Sequence, residues 1–171
     1  MRFFWREYGV SFKIRREEFM TAYRQVAALP LRRAKNGAVE ILLVTSRKTG
    51  RWIIPKGWPS KRVKDHKAAA REARQEAGVK GKITPRAFGS YRYVKPELGD
   101  GVPIDVSVFI LSVRKQSKRW PEKTQRCRAW FDVLDAAGRI AEPELSSLIG
   151  RLQVLSKPLI KTEPEAAKLS A

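Results

Sequence analysis

Apolar residues fall along this chain in short runs broken by glycine, proline and asparagine, the pattern of a sheet interleaved with a few helices. Residues 25–31 and 39–46 predict the first two strands, with Asn36-Gly37 as the turn between them. Val39, Ile41, Leu42, Leu43 and Val44 leave almost no polar face, so the second strand is expected in the interior, covered on both sides. Thr49-Gly50 predicts another turn, and a short strand over 52–54 ends at Pro55, which has no N–H to give to a ladder.

The strongest helical stretch runs from Asp65 to Ala77. Ala68, Ala69, Ala70, Ala73 and Ala77 favour helix, Asp65 is suited to cap its start, and Gly78 suits a left-handed stop. Residues 82–93 and 103–113 predict two strands pairing as a long hairpin across a Pro- and Gly-bearing loop at 95–101. A short strand over 129–131 and a helical turn over 133–137 follow. Residues 143–155 predict a second helix, on which Leu145, Leu148, Ile149 and Leu152 recur at helical spacing. The expectation is an α/β fold, a mixed sheet with flanking helices. Residues 1–20 read as a lead-in, 21–155 as one domain, and 156–171 as a polar tail with little to bury.

Composition sharpens this picture. A length of 171 residues suits one core, and a hydrophobic fraction of 43% keeps a charged fraction of 31% within the globular range. Lys and Arg number 36 against 17 Asp and Glu, a formal charge of +19, which draws anions. Nucleic acid, an anionic membrane surface and a small polyphosphate all meet that description. Cys127 is the lone cysteine, which excludes an intrachain disulfide and suits a reducing, cytoplasmic setting. The most apolar stretch, 106–113, is far shorter than the roughly 20 residues of a membrane-spanning helix, so no membrane partner is expected. Residues 1–8 lack the continuous apolar core of a secretory signal and read as retained, soluble sequence.

The candidate chemistry lies on the helix. At about 100° per residue, Glu72 and Glu76 sit one turn apart on one face, beside a face formed by Ala69, Ala73 and Ala77. Close carboxylates repel unless a cation lies between them, and hard oxygen donors favour Mg²⁺ or Mn²⁺. Taken alone, the same pair would read as a solvated helix face.

The surrounding residues change that balance. Trp52-Ile53-Ile54-Pro55-Lys56-Gly57-Trp58, followed by Arg71-Glu72-Ala73-Arg74-Gln75-Glu76-Ala77-Gly78-Val79, resembles the signature box of the Nudix hydrolase superfamily, G-x5-E-x7-REU-x-EE-x-GU. Gly57, Arg71, Glu72, Ala73, Glu76, Gly78 and Val79 fit in register, while Val63 and Gln75 stand where the box has glutamate. The resemblance implies a Nudix-type α/β/α sandwich in which Glu72 and Glu76 are catalytic and bind metal. It further implies the Gly57 carbonyl as an additional ligand, Gln75 as a neutral oxygen donor, and Arg71 bracing the helix that Gly78 ends. A distal acid is common in the family; Glu122 fits that role, with Gln125 at a position where an acid would also be expected.

Over roughly 23–152 the resemblance extends to the diphosphoinositol polyphosphate phosphohydrolase branch, through Gln25-Val26-Ala27-Ala28-Leu29-Pro30, Trp120-Pro121-Glu122 and Trp130-Phe131. That branch implies phosphate contacts at Arg24, Ser46 and Arg47, and Lys56 beside Gly57 is a further phosphate candidate. His66 reads as solvent-facing and without chemistry. Trp52, Trp58, Trp120 and Trp130 read as packing before nucleobase stacking. The basic groups Arg32-Arg33 with Lys35, Lys61-Arg62 with Lys64, and Lys118-Arg119 carry no nucleic-acid motif.

The expected function is therefore metal-dependent hydrolysis of a diphosphate bond in a highly anionic small molecule, such as a diphosphoinositol polyphosphate or dinucleoside polyphosphate. The competing expectation is a protein of the same fold that binds polyphosphate or RNA without turnover.

Overall fold

In the computed structural model, residues 23–95 and 102–156 are described. The lead-in 1–20, the polar tail beyond residue 156 and most of the loop at 95–101 lie outside them.

Among the described residues, eight strands form one mixed sheet: β1 (Arg24–Arg33), β2 (Val39–Thr45), β3 (Trp52–Ile53), β4 (Lys56–Gly57), β5 (Val79–Ile83), β6 (Gly89–Lys95), β7 (Val102–Gln116) and β8 (Arg128–Asp132). The order is β3-β2-β1-β7-β5, with β4 also on β1, β6 on β7 and β8 on β2. β1 and β7 run parallel from Arg24↔Asp105 to Leu31↔Ser112, and the other pairs are antiparallel.

Side chains alternate across a strand, and here both faces are buried. Val26, Ala28, Leu42 and Val44 meet Ala68, Ala69, Ala73 and Ala77 of helix α1 (Asp65–Ala77). Ala27, Leu29, Ile41 and Leu43 point the other way, toward helices α2 (Val133–Arg139) and α3 (Pro143–Gly150), which supply Val133, Ala136, Leu145, Leu148 and Ile149. This is the α/β/α sandwich the sequence predicts, and it explains why 41–44 carry no polar side chain. Among the described residues no helix is long and apolar enough to cross a membrane.

Three local expectations are corrected and a fourth is extended. Asp65 is not the cap of α1: Lys64 holds that position without a side-chain bond, and the Asp65 carboxylate instead takes both terminal nitrogens of Arg24, at 2.6 and 3.2 Å. A bidentate charged pair outweighs a single bond to a backbone N–H. Residues 82–93 are two strands, split around Pro85; β6 pairs with the first half of β7 and β5 with its second half. The helix expected over 143–155 ends at Gly150 and resumes as a single turn, α4 (Gln153–Ser156), after Arg151 and Leu152. Pro55 does end β3, yet the chain re-enters the sheet at once as β4, with Gly57 opposite Val26 and Lys56 opposite Ala27.

Gly78 closes α1 with φ 66°, a left-handed conformation that suits glycine. Space also demands glycine there, because a Cβ would lie 2.7–2.8 Å from Arg128 and Trp120.

The seam between α1 and the sheet is made of alanines with no exposure, so it should resist change of size in both directions. Leu42→Ala is expected to cost about 2–5 kcal/mol through the cavity it leaves. Ala73→Leu should cost about 1–3 kcal/mol through overpacking. Equilibrium urea unfolding measures both, and a loss well under 1 kcal/mol for either would contradict this packing.

Candidate active site

β4 lies beside α1, so Gly57 faces the Glu72 side chain. A Cβ at Gly57 would sit 2.5 Å from the Glu72 carboxyl carbon and 2.6–2.9 Å from its oxygens, so the carboxylate occupies the space that any other residue would fill. The Glu72 side chain is 14% exposed, and Arg71 approaches it at 3.8 Å. Burial raises its pKa above the usual carboxylate range; Arg71 opposes the shift and Glu122 adds to it.

One turn on, Glu76 is only 6% exposed. Its Oε2 accepts the Lys56 backbone N–H at 3.2 Å, and its Oε1 accepts Arg126 Nη2. Burial pushes the Glu76 carboxyl up to about 7, against the pull of Arg126 and of the Lys56 N–H. Glu72 and Glu122 add repulsion in the same direction as burial.

Arg126 joins the pieces. Its Nε donates to Glu122 Oε2 at 2.6 Å and its Nη1 to the Thr45 carbonyl at 2.8 Å, so three nitrogens tie α1, the turn before β8 and the end of β2 together. The other oxygen of Glu122 accepts Gln75 Nε2 at 3.2 Å. Burial pushes Glu122 upward, but the bond from Arg126, its charge and the Gln75 bond together hold its pKa below the usual range. Among the described residues no buried side-chain nitrogen or oxygen lacks a partner.

The structure thus brings Gly57, Glu72 and Glu76 together, with Gln75 and Glu122 joined to them through Arg126. The other expected residues lie around this centre. The Lys56 ammonium stands over the Tyr93 ring at 4.7 Å. Ser46 shares a hydrogen bond with Thr49 at 2.6 Å in the turn after β2, and the neighbouring Arg47 reaches Gln125 at 3.5 Å. Arg24 is committed to Asp65 at the start of α1. His66 packs toward Phe109, and Trp52 packs edge-on against Phe131. Trp120 lies under the Arg128 guanidinium, and Trp130 under that of Arg32. Trp58 is 42% exposed, unlike the packed trio.

Sequence reasoning missed Arg126. Its partners Glu76 and Thr45 are 50 and 81 positions away, so local spacing marks only its bond to Glu122, four residues earlier. A second signal was the alternation Arg126-Cys127-Arg128 entering a short strand, which sends both guanidinium groups to the same side. Arg128 ends at the carbonyls of Ala77 and Ser117, closing the C-terminus of α1.

No three His, Cys, Asp or Glu side chains form a ready metal cage among the described residues. Magnesium seldom needs one: it keeps several waters and binds through one or two carboxylates together with substrate phosphates. Two desolvated carboxylates with raised pKa values, one of them seated against a glycine that leaves it room, fit such an ion. On the opposite face of α1 from Glu76, Lys67, Arg71, Arg74 and Lys80 line an open depression of about 460 Å³.

A family profile described as NUDIX domain matches residues 22–149. Nudix hydrolase 21, chloroplastic, of Arabidopsis thaliana is 33% identical over 67% of this chain and 58% of its own length. Diphosphoinositol polyphosphate phosphohydrolase 3-alpha of Mus musculus is 36% identical over 57% of each chain. The chain therefore spans a little over half the length of these curated relatives. Among solved structures, a C. elegans Ap4A hydrolase binary complex superposes with a TM-score of 0.59 at 19% identity, covering 78% of this chain and 96% of that one. A NUDIX hydrolase from Nitrosomonas europaea gives 0.58 at 19% identity over 80% and 93%.

The raised Glu76 pKa makes stability depend on pH. Glu76 holds its proton more tightly folded than unfolded, so its contribution is fully present below the ordinary value of 4.5 and is lost as pH rises through about 7. In metal-free buffer, wild type should lose stability relative to Glu76→Gln between about pH 5 and about pH 8. Urea midpoints across that range test it, and parallel curves for the two proteins would contradict it.

Proposed function

This chain belongs to the NUDIX domain family, and we propose that it is a metal-dependent hydrolase that cleaves the diphosphate bond of a highly anionic small molecule, such as a diphosphoinositol polyphosphate or dinucleoside polyphosphate. The observation that carries the reading is the pair Glu72 and Glu76, held out of water on one turn of α1 with Gly57 leaving room for the Glu72 carboxylate.

In this reading Glu72 and Glu76 hold Mg²⁺ or Mn²⁺, with the Gly57 carbonyl as a further oxygen donor. The bound ion supplies neutralisation of diphosphate oxygens and activation of water for attack on phosphorus. The chain's own groups do the rest. The Lys56 N–H fixes one oxygen of Glu76 and Arg126 fixes the other, so that carboxylate needs no reorganisation. Arg47 and Ser46, on the turn after β2, supply a cation and a hydroxyl to substrate phosphates, and Lys56 and Arg24 extend the positive rim. The formal charge of +19 favours encounter with a polyanion. A reducing, cytoplasmic setting belongs to the same proposal and is supported by the free, exposed Cys127.

A second reading, a fold that binds polyphosphate or RNA without turnover, is favoured by two observations. Gln75 gives its amide to Glu122 instead of adding a carboxylate, and the depression lined by Lys67, Arg71, Arg74 and Lys80 offers phosphate contacts away from the carboxylates.

Phosphate release from diphosphate-bearing substrates, with Mg²⁺ or Mn²⁺ and after chelation, separates the two. Wild type should turn over, chelation should abolish it, and Glu72→Gln, Glu76→Gln and Gly57→Ala should each lose on the order of 100-fold or more. An inert wild type alongside an active Gln75→Glu variant would overturn the hydrolase reading in favour of binding.

A further inference from the structure

The acidic centre already contains a cation. Arg126 lies between Glu76 and Glu122, donating Nη2 to the first and Nε to the second at 2.6 Å, while Nη1 is spent on the Thr45 carbonyl at 2.8 Å. The side chains of Arg126, Glu76 and Glu122 are 5%, 8% and 9% exposed, so the three charges are sealed from water together. A guanidinium cannot discharge by losing a proton. Swinging it aside to admit another ion would strand a buried positive charge and leave three acceptors unmet, so its place is fixed.

Gln75 belongs to the same arrangement. It occupies a box position where glutamate is expected and donates Nε2 to the remaining oxygen of Glu122 at 3.2 Å. A carboxylate at 75 would face Glu122 with like charge and would need a cation between them. The amide removes that need, and the guanidinium satisfies the other side of Glu122. Both oxygens of Glu122 are thereby taken by donors of the chain itself. Glu72 stands outside this network, with Arg71 at 3.8 Å as its ion-pair partner.

We infer that Arg126, with Gln75, is a permanent stand-in for a second metal ion, so that this chain takes one divalent ion, at the pair Glu72 and Glu76, and none between Glu76 and Glu122. The inference rests on the reading of Glu72 and Glu76 as the metal pair. Arg126 is then a positioning residue: it fixes Glu76 and contributes one non-dissociating charge where a second ion would otherwise have to bind. Glu122 serves as its anchor.

Titration of the substrate-free chain with Mn²⁺, followed by the loss of the free-ion electron paramagnetic resonance signal, reads the stoichiometry directly without any turnover. Wild type should bind one ion per chain. Gln75→Glu, which changes an exposed helix position, should still bind one, because Arg126 remains in place. The double variant Gln75→Glu with Arg126→Gln, its fold checked by circular dichroism, should bind two, and Gln75→Glu with Arg126→Lys should return toward one. Two ions on wild type or on Gln75→Glu would overturn the inference while leaving the hydrolase reading intact. A folded double variant that still binds one ion would also overturn it. No ion bound by wild type would overturn the inference and the metal reading together.

Discussion

The close seat of α1 on the sheet is the constraint on which the rest of this molecule depends. Ala68, Ala69, Ala73 and Ala77 present nothing beyond a methyl group, so the helix descends onto Val26, Ala28, Leu42 and Val44 until its next face is also drawn out of water. Glu76 is carried inward with it. A buried carboxylate is expensive unless it is paired or neutral. The Lys56 N–H, Arg126 and a pKa of about 7 are the three responses visible here. A bulkier seam would lift the helix and return Glu76 to water, and the electrostatic character of the site would go with it.

The two ends of α1 are fixed by different means. At its start, Arg24 from the first residue of β1 grips Asp65, tying the helix to the sheet. At its end, Gly78 turns left-handed beneath Trp120 and Arg128, and the Trp120 indole donates to the Glu76 carbonyl at 3.2 Å. Between them, the brief β4 pairing sets Gly57 opposite Val26, which fixes the height at which Glu72 finds its space. Each contact of the site is therefore also a contact of the fold.

Much of this was legible in the sequence, and for physical reasons. An unbroken apolar run at 41–44 is intelligible only as a strand covered twice, and alanines at 69, 73 and 77 beside glutamates at 72 and 76 define one helix with two faces. The box spacing added Gly57, whose need for a missing side chain became visible once Glu72 was seen in that space. What was not legible depends on distance along the chain. Arg126 meets Glu76 only because β8 pairs with β2 and delivers the preceding turn to the helix. Asp65 reads as a cap until Arg24 arrives from 41 positions away. The division of 82–93 followed from the length of β7, which offers one edge to two partners in succession, a tertiary fact that local propensity does not carry.

Whether the desolvated pair Glu72 and Glu76 is the cation site of this fold is decided by carboxyl-carbon nuclear magnetic resonance of the glutamate-labelled chain, titrated with Mg²⁺. The Glu72 and Glu76 side-chain carboxyl signals are expected to move first and together, ahead of every other glutamate. Signals that move only at Glu122, or only at exposed glutamates such as Glu144, would contradict it.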